Sequence, residues 1–227
     1  MSDARIAALV CEGHTDVPIL RATIQTLWPS VEEVRCLQPE LDEVERAKGP
    51  AGWTQVQSWC ERNAAALEEV LDPDLGDPID LLVVAIDVDI AIHAGIADPP
   101  REVGAYESTR LRRTIEGWLK AGNRRRLPAA VVISTPVMAI EAWVIAALYP
   151  RERSPEQISD GADWLVRKEK LLRSPRDRKP WKDLRLYKKF APQVARRLSH
   201  VRKVCPEADR TGLAIEQRRN QLDGTRQ

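Results

Sequence analysis

A chain of 227 residues with 43% hydrophobic and 30% charged residues suits one α/β domain with an appendage and is too apolar to be disordered throughout. No apolar run reaches membrane-spanning length; the longest are residues 81–86 and 137–149, and the second contains Glu141. The net charge of +1 hides an asymmetry, because residues 1–150 sum to −9 and residues 151–227 to +10, a balance that suits a nucleic-acid partner and, equally, a solvated Arg-rich surface.

The N-terminus lacks a basic segment followed by a long apolar one, so it reads as free of a signal peptide. Residues 6–11 (Ile-Ala-Ala-Leu-Val-Cys) form a continuous apolar run, the pattern of a strand buried on both faces. Glu12-Gly13-His14-Thr15-Asp16 follows as a turn. Thr15 suits the N-cap of a helix to about Leu27, with Ile19, Leu20, Ile24 and Leu27 on its apolar face. Residues 34–37 predict a second short strand, and residues 39–52 a polar loop. One helix is expected over residues 53–71. Residues 80–86 are the strongest strand in the chain and end in Asp87-Val88-Asp89. Residues 90–107, with Gly95, Pro99, Pro100 and Gly104, read as a loop. A helix over 108–120, a strand over 129–133 and a helix over 137–148 capped by Thr135-Pro136 complete the body. Beyond Ser154 the pattern predicts a helix over 155–172, a Pro/Arg/Lys connection over 174–180, a helix over 186–204 interrupted at Pro192, and a polar tail after Pro206 with partial disorder.

Strands and helices alternate, which predicts an α/β fold with a mostly parallel sheet flanked by helices, residues 1–150, and a basic helical extension with a polar tail, residues 151–227. Cys11, Cys36, Cys60 and Cys205 contain no CxxC pair, so neither a zinc site nor a disulfide framework is indicated, and a reducing cytoplasm is expected. The seven Trp are expected to anchor helix packing rather than to form a stacking platform for single strands.

In parallel sheets, functional groups collect beyond the carboxyl ends of the strands, where Glu12, Asp87 and Asp89 fall. Alternation sends Asp87 and Asp89 to one side, and two like charges held together call for a cation or a proton. A hard divalent ion, Mg²⁺ or Mn²⁺, takes such oxygen ligands; the plain alternative is a pair of turn-capping aspartates. Gly13 permits a close backbone approach, and the helix beginning near Thr15 would offer free N–H groups to a phosphate. Glu141 is the one charge in an apolar stretch, so it needs a metal, a cationic partner or a helix N-terminus.

Glu12-Gly13-His14-Thr15-Asp16 after a first strand and Asp87-Val88-Asp89 after a third resemble the signature of the Toprim domain. The fragment Ser134-Thr135-Pro136 with Ile140-Glu141-Ala142-Trp143, the short length and Tyr187-Lys188-Lys189 in a basic C-terminal part are similar to the small Toprim-like proteins of bacterial defence systems, relatives of the OLD-type nucleases. The resemblance implies a Toprim-like fold over about residues 6–150. Glu12 would act as general acid/base or metal ligand, and Asp87 and Asp89 would hold Mg²⁺ or Mn²⁺. Glu141 and Asp16 would complete a two-metal set, whose ions lie about 3.5–4 Å apart. Lys188 would stabilise transition-state charge. Gly13, Thr15, Arg124, Arg125, Lys179, Lys182 and Lys189 would contact nucleic-acid phosphates. His14 adjoins this site, whereas His93 and His200 are not spaced with it as a metal set.

The leading expectation is a metal-dependent nuclease, or a related phosphoryl-transfer protein acting on DNA or RNA in a bacterial defence system. It would be cytoplasmic, with no membrane partner, and open to homo-oligomerisation. A second is a non-catalytic Toprim-like subunit that binds nucleic acid or a partner ATPase. A third is a haloacid-dehalogenase-like phosphatase, since residues 81–89 also have the form of an apolar strand followed by Asp-x-Asp. That motif normally opens its fold, and here it follows two strands.

Overall fold

The computed structural model of the protein describes residues 4–39, 52–90, 105–120 and 126–224. Four strands, β1 (Arg5–Val10), β2 (Val31–Gln38), β3 (Leu81–Ala85) and β4 (Val131–Ser134), form one parallel sheet in the order β2-β1-β3-β4. The protein is therefore α/β, with a parallel sheet flanked by helices, consistent with a Toprim-like architecture. The central strands β1 and β3 are apolar runs because both of their faces are covered.

Alternation divides their side chains between two cores. Ala7, Leu9, Leu81, Val83 and Ala85 face one side with α1 (Asp16–Leu27) and α5 (Glu141–Leu148). Ala8, Val10, Leu82, Val84 and Ile86 face the other, against α2 (Trp53–Asn63), α3 (Leu67–Leu71) and α4 (Ala105–Leu119). Each strand is thus held from both faces by the period-2 pattern. Trp28 and Trp143 are fully buried helix anchors, and the four cysteines are free.

Several expected elements differ. The single helix over 53–71 is two: Asn63 Nδ2 donates to the Trp59 carbonyl at 2.8 Å, a side-chain bond that competes with the helical ladder. The helix expected from residue 137 begins at Glu141, because Met138 and Ala139 have φ of 56° and 93° and Pro136 gives its carbonyl to the Val88 amide. Thr135 does not cap it; its hydroxyl is held in a buried network. The helix over 155–172 reduces to a 3₁₀ turn and α6 (Gly161–Arg167), capped by the Asp160 carboxylate accepting from the Asp163 amide at 2.7 Å. The following connection is a hairpin, β5 (Leu172–Arg173) with β6 (Pro180–Trp181). Pro192 lies inside α7 (Leu184–Arg196), and the chain breaks instead at Arg197 before α8 (Leu198–Val204).

The C-terminal stretch is not an appendage with a loose tail. Residues 206–224 form α9 (Pro206–Gly224), which packs on β4 and α1. Arg219 Nη1 donates to the Leu27 carbonyl at 2.7 Å, and Arg218 Nε to the Asp80 carbonyl at 2.9 Å. Tyr187, Phe190, Val194, Leu198, Val201 and Ile215 belong to the same core as β1 and α1. Of the loop expected at 90–107, residues 91–104 lie outside the described residues and residues 105–107 instead open α4; most of the loop at 39–52 also lies outside them. Among the described residues no helix is long and apolar enough to cross a membrane.

Candidate active site

Register brings the carboxylates together. Val10 pairs with Val84 and Ala85 with Ser134, so the chain leaves β1 and β3 at the same level of the sheet. Glu12 and Asp87 each lie two residues beyond their strands, and the Asp87 amide donates to Glu12 Oε1 at 2.7 Å. Asp16 opens α1, where the helix N-terminus favours a carboxylate, and its Oδ2 accepts the Gly13 amide at 2.9 Å. That bond corrects the expected phosphate cradle, since the Gly13 N–H is already satisfied by a carboxylate. Thr15 makes no side-chain cap bond, and its hydroxyl turns to Asp16.

Glu141 comes from the first turn of α5 and is 1% exposed. Its Oε1 accepts from the Tyr187 hydroxyl and pairs with the Lys182 ammonium at 2.8 Å. Its Oε2 is buried with no hydrogen-bond partner. Gly161 lets α6 approach this residue: a Cβ there would lie 2.8 Å from Glu141 Cβ.

The electrostatics are those of crowded anions. Burial pushes Glu12 up to about 8, reinforced by Asp16 and Asp89 and opposed by the Asp87 amide and Lys182. Burial pushes Asp16 up to about 6, with Lys182 opposing and Glu141 adding to the shift. Asp87 is driven well above the usual carboxylate range by burial and by Asp16, Glu12, Asp89 and Glu141. For Lys182, burial works against the charge, but Glu141 and Asp87 outweigh it and hold the ammonium protonated. Tyr187 is pushed upward by burial and Glu141, so it stays a donor. Clusters of mutually perturbed titratable groups gather at working sites and also in structural ion-pair networks.

Hard carboxylate oxygens are the donor chemistry that Mg²⁺ or Mn²⁺ takes, and the unpartnered Glu141 Oε2 is a donor without a present use. The ligands are not already gathered: among the described residues no three His, Cys, Asp or Glu side chains lie close enough to hold one ion.

Of the expected site residues, the fold unites Glu12, Asp16, Asp87, Asp89 and Glu141. The lysine bonded in this cluster is Lys182, expected as a phosphate contact. Lys188, expected as the catalytic cation, instead lines a groove between α1 and α7 together with His14 and Arg21. Lys179 lies in the β5–β6 hairpin and Lys189 on the exposed side of α7. Arg124 and Arg125 lie outside the described residues. Tyr187 was missed as a site residue, since only the packing of α7 against α5 brings its hydroxyl to Glu141.

Comparison with known proteins found no matching family model, curated protein or solved structure. The class that fold and site define is a parallel α/β protein with an acidic cluster at the carboxyl edge of its sheet.

Proposed function

We propose that this protein is a Mg²⁺- or Mn²⁺-dependent phosphodiesterase acting on nucleic acid. The observation that carries the reading is the convergence of five carboxylates, from β1, α1, β3 and α5, on one strand edge, with Glu12, Asp16 and Asp87 all raised by burial and mutual repulsion. When bound, the ion would activate water and neutralise phosphate charge. Glu12, Asp87, Asp89 and Glu141 are the residues that would hold it. The alternative role for Glu12 is general acid/base, which burial suits it for by raising its carboxyl to about 8 in the metal-free protein. Lys182 offers a fixed positive charge to an incoming phosphate, and Tyr187 fixes the rotamer of Glu141. A place in a bacterial defence system rests on the resemblance to Toprim proteins alone.

One observation favours the second reading, a non-catalytic subunit that binds nucleic acid or a partner ATPase. Glu141 is already engaged by Lys182 and Tyr187, and the carboxylates are not drawn into a ligand shell. One experiment separates the two: titrate Mn²⁺ calorimetrically into wild type and Asp87→Ala/Asp89→Ala, then incubate both with plasmid DNA and total RNA. Metal binding and cleavage that vanish together in the variant support the phosphodiesterase. Binding without cleavage supports the subunit, and no binding removes the metal site.

A further inference from the structure

Among the described residues, the one exposed large aromatic side chain is beside this site. Trp181 ends β6 with half of its surface exposed, 50%, and its antiparallel partner Leu172 is 64% exposed. Residues directly opposite in a strand pair project to the same face, so the hairpin displays two adjoining apolar side chains to solvent. A two-stranded hairpin gains nothing from exposing them. The same hairpin carries Arg173, Arg176, Arg178 and Lys179 against a single Asp177. Arg173 is tied to Asp163 at 2.6 Å and to the Arg178 carbonyl at 3.0 Å, which braces the hairpin on α6. The next residue after Trp181 is Lys182, whose ammonium bonds Glu141. An exposed indole, a basic arm and the acidic cluster are therefore consecutive along a few residues of chain.

We propose that the β5–β6 hairpin is a single-strand clamp, in which Trp181 stacks on an unpaired base while its Arg and Lys residues follow the backbone toward Lys182. The inference rests on the nucleic-acid reading of the site and narrows its substrate to single-stranded or locally unpaired nucleic acid. Charge selects an anionic occupant, which the acidic cluster by itself would repel. The exposed indole selects one with accessible π-faces, and a duplex hides its base faces in the stack. Leu172 widens the apolar surface beneath the base. Lys182 follows Trp181 directly, so a base on the indole and its neighbouring phosphate would meet consecutive residues of the chain.

The test is fluorescence anisotropy in EDTA, so that neither metal nor cleavage enters, with a labelled 12-nucleotide single strand and the matching blunt duplex. Wild type should bind the single strand more tightly than the duplex. Trp181→Ala should weaken single-strand binding about tenfold or more, as expected for loss of one stacked base, leave duplex binding unchanged, and lower the melting temperature only slightly because half of the side chain is already in solvent. Trp181→Phe should restore most of the affinity. Equal loss on both nucleic acids, or no loss from Trp181→Ala while wild type binds, overturns the clamp alone and leaves the nucleic-acid reading standing. A wild type that binds neither nucleic acid, and cuts none with Mn²⁺ present, overturns both.

Discussion

Two clusters of buried charge lie on neighbouring strands and solve opposite problems. At the mouth of β1 and β3, among the described residues, five carboxylates meet one lysine, and burial together with repulsion lifts Glu12, Asp16 and Asp87. Beyond β4, Glu207 on α9 is 1% exposed, yet its charge is matched twice, by Arg112 at 2.8 Å and Arg210 at 2.9 Å. The Thr135 hydroxyl adds a bond at 3.1 Å, and Arg112 also donates to the Ile133 carbonyl. Ser134 and Thr211 bridge the same helix to the same strand at 3.0 Å. The second cluster is balanced in charge and latches α9 onto the sheet. The first is left in conflict, which a stable fold tolerates where the conflict serves chemistry.

The sharpest way to break that contrast is Glu207→Ala. It strands Arg112 and Arg210 without their buried partner, and we expect a loss of about 3–5 kcal/mol, read by chemical denaturation. A loss below about 1 kcal/mol would mean that the network is not a latch. Next comes Gly161→Ala, whose Cβ has no room beside Glu141 Cβ. Forcing α6 from α5 should cost about 1–3 kcal/mol and weaken Mn²⁺ binding, because Glu141 moves with α5.

The pH dependence follows from the raised carboxyl groups. Glu12 and Glu156 are held at about 8 and Asp16 at about 6, each chiefly by burial. In the unfolded chain such groups ionise near pH 4, so between about pH 4.5 and 8 the folded state binds more protons. Stability should then fall as pH rises through that window, by about 1.4 kcal/mol per pH unit for each group still protonated in the fold. Thermal unfolding at pH 5.5 and 8.5 checks the sign, and Mn²⁺ should narrow the difference by stabilising the ionised acidic cluster. The smallest effect has the opposite sign from Glu207→Ala. Asp87→Asn removes a buried carboxyl whose ionisation four neighbouring carboxylates oppose, so folding no longer requires it to take up a proton; it should raise stability by about 1 kcal/mol at pH 8 while abolishing the proposed Mn²⁺ binding. A destabilised Asp87→Asn would mean that the acidic cluster is not in conflict.

Local physics made much of the protein legible in sequence. Uninterrupted apolar runs marked β1 and β3 because strands covered on both faces need no polar side. The position of Glu12, Asp87 and Asp89 just beyond those runs placed them at the carboxyl edge. A buried Glu141 in an apolar stretch had to find a partner, and it did. What the sequence could not rank was identity among equals. Lys182 and Lys188 look alike along the chain, and only the turn from β6 into α7 delivers Lys182 to Glu141. Tyr187 was visible only as part of the Tyr187-Lys188-Lys189 segment and not as a partner for Glu141, because its hydroxyl gains that role only through the packing of α7 on α5. The polar residues after Pro206 read as a tail, because α9 is tied down largely by arginines, a buried glutamate and hydroxyls rather than by a strong apolar stripe. Trp181 counted as one more packing tryptophan until the hairpin left it in solvent. Strand patterns and strand-end charges are written locally, since burial imposes them residue by residue. Which polar groups meet is decided over long separations, 75 residues for Glu12 and Asp87 and 192 for Leu27 and Arg219, and only the tertiary structure sets those distances.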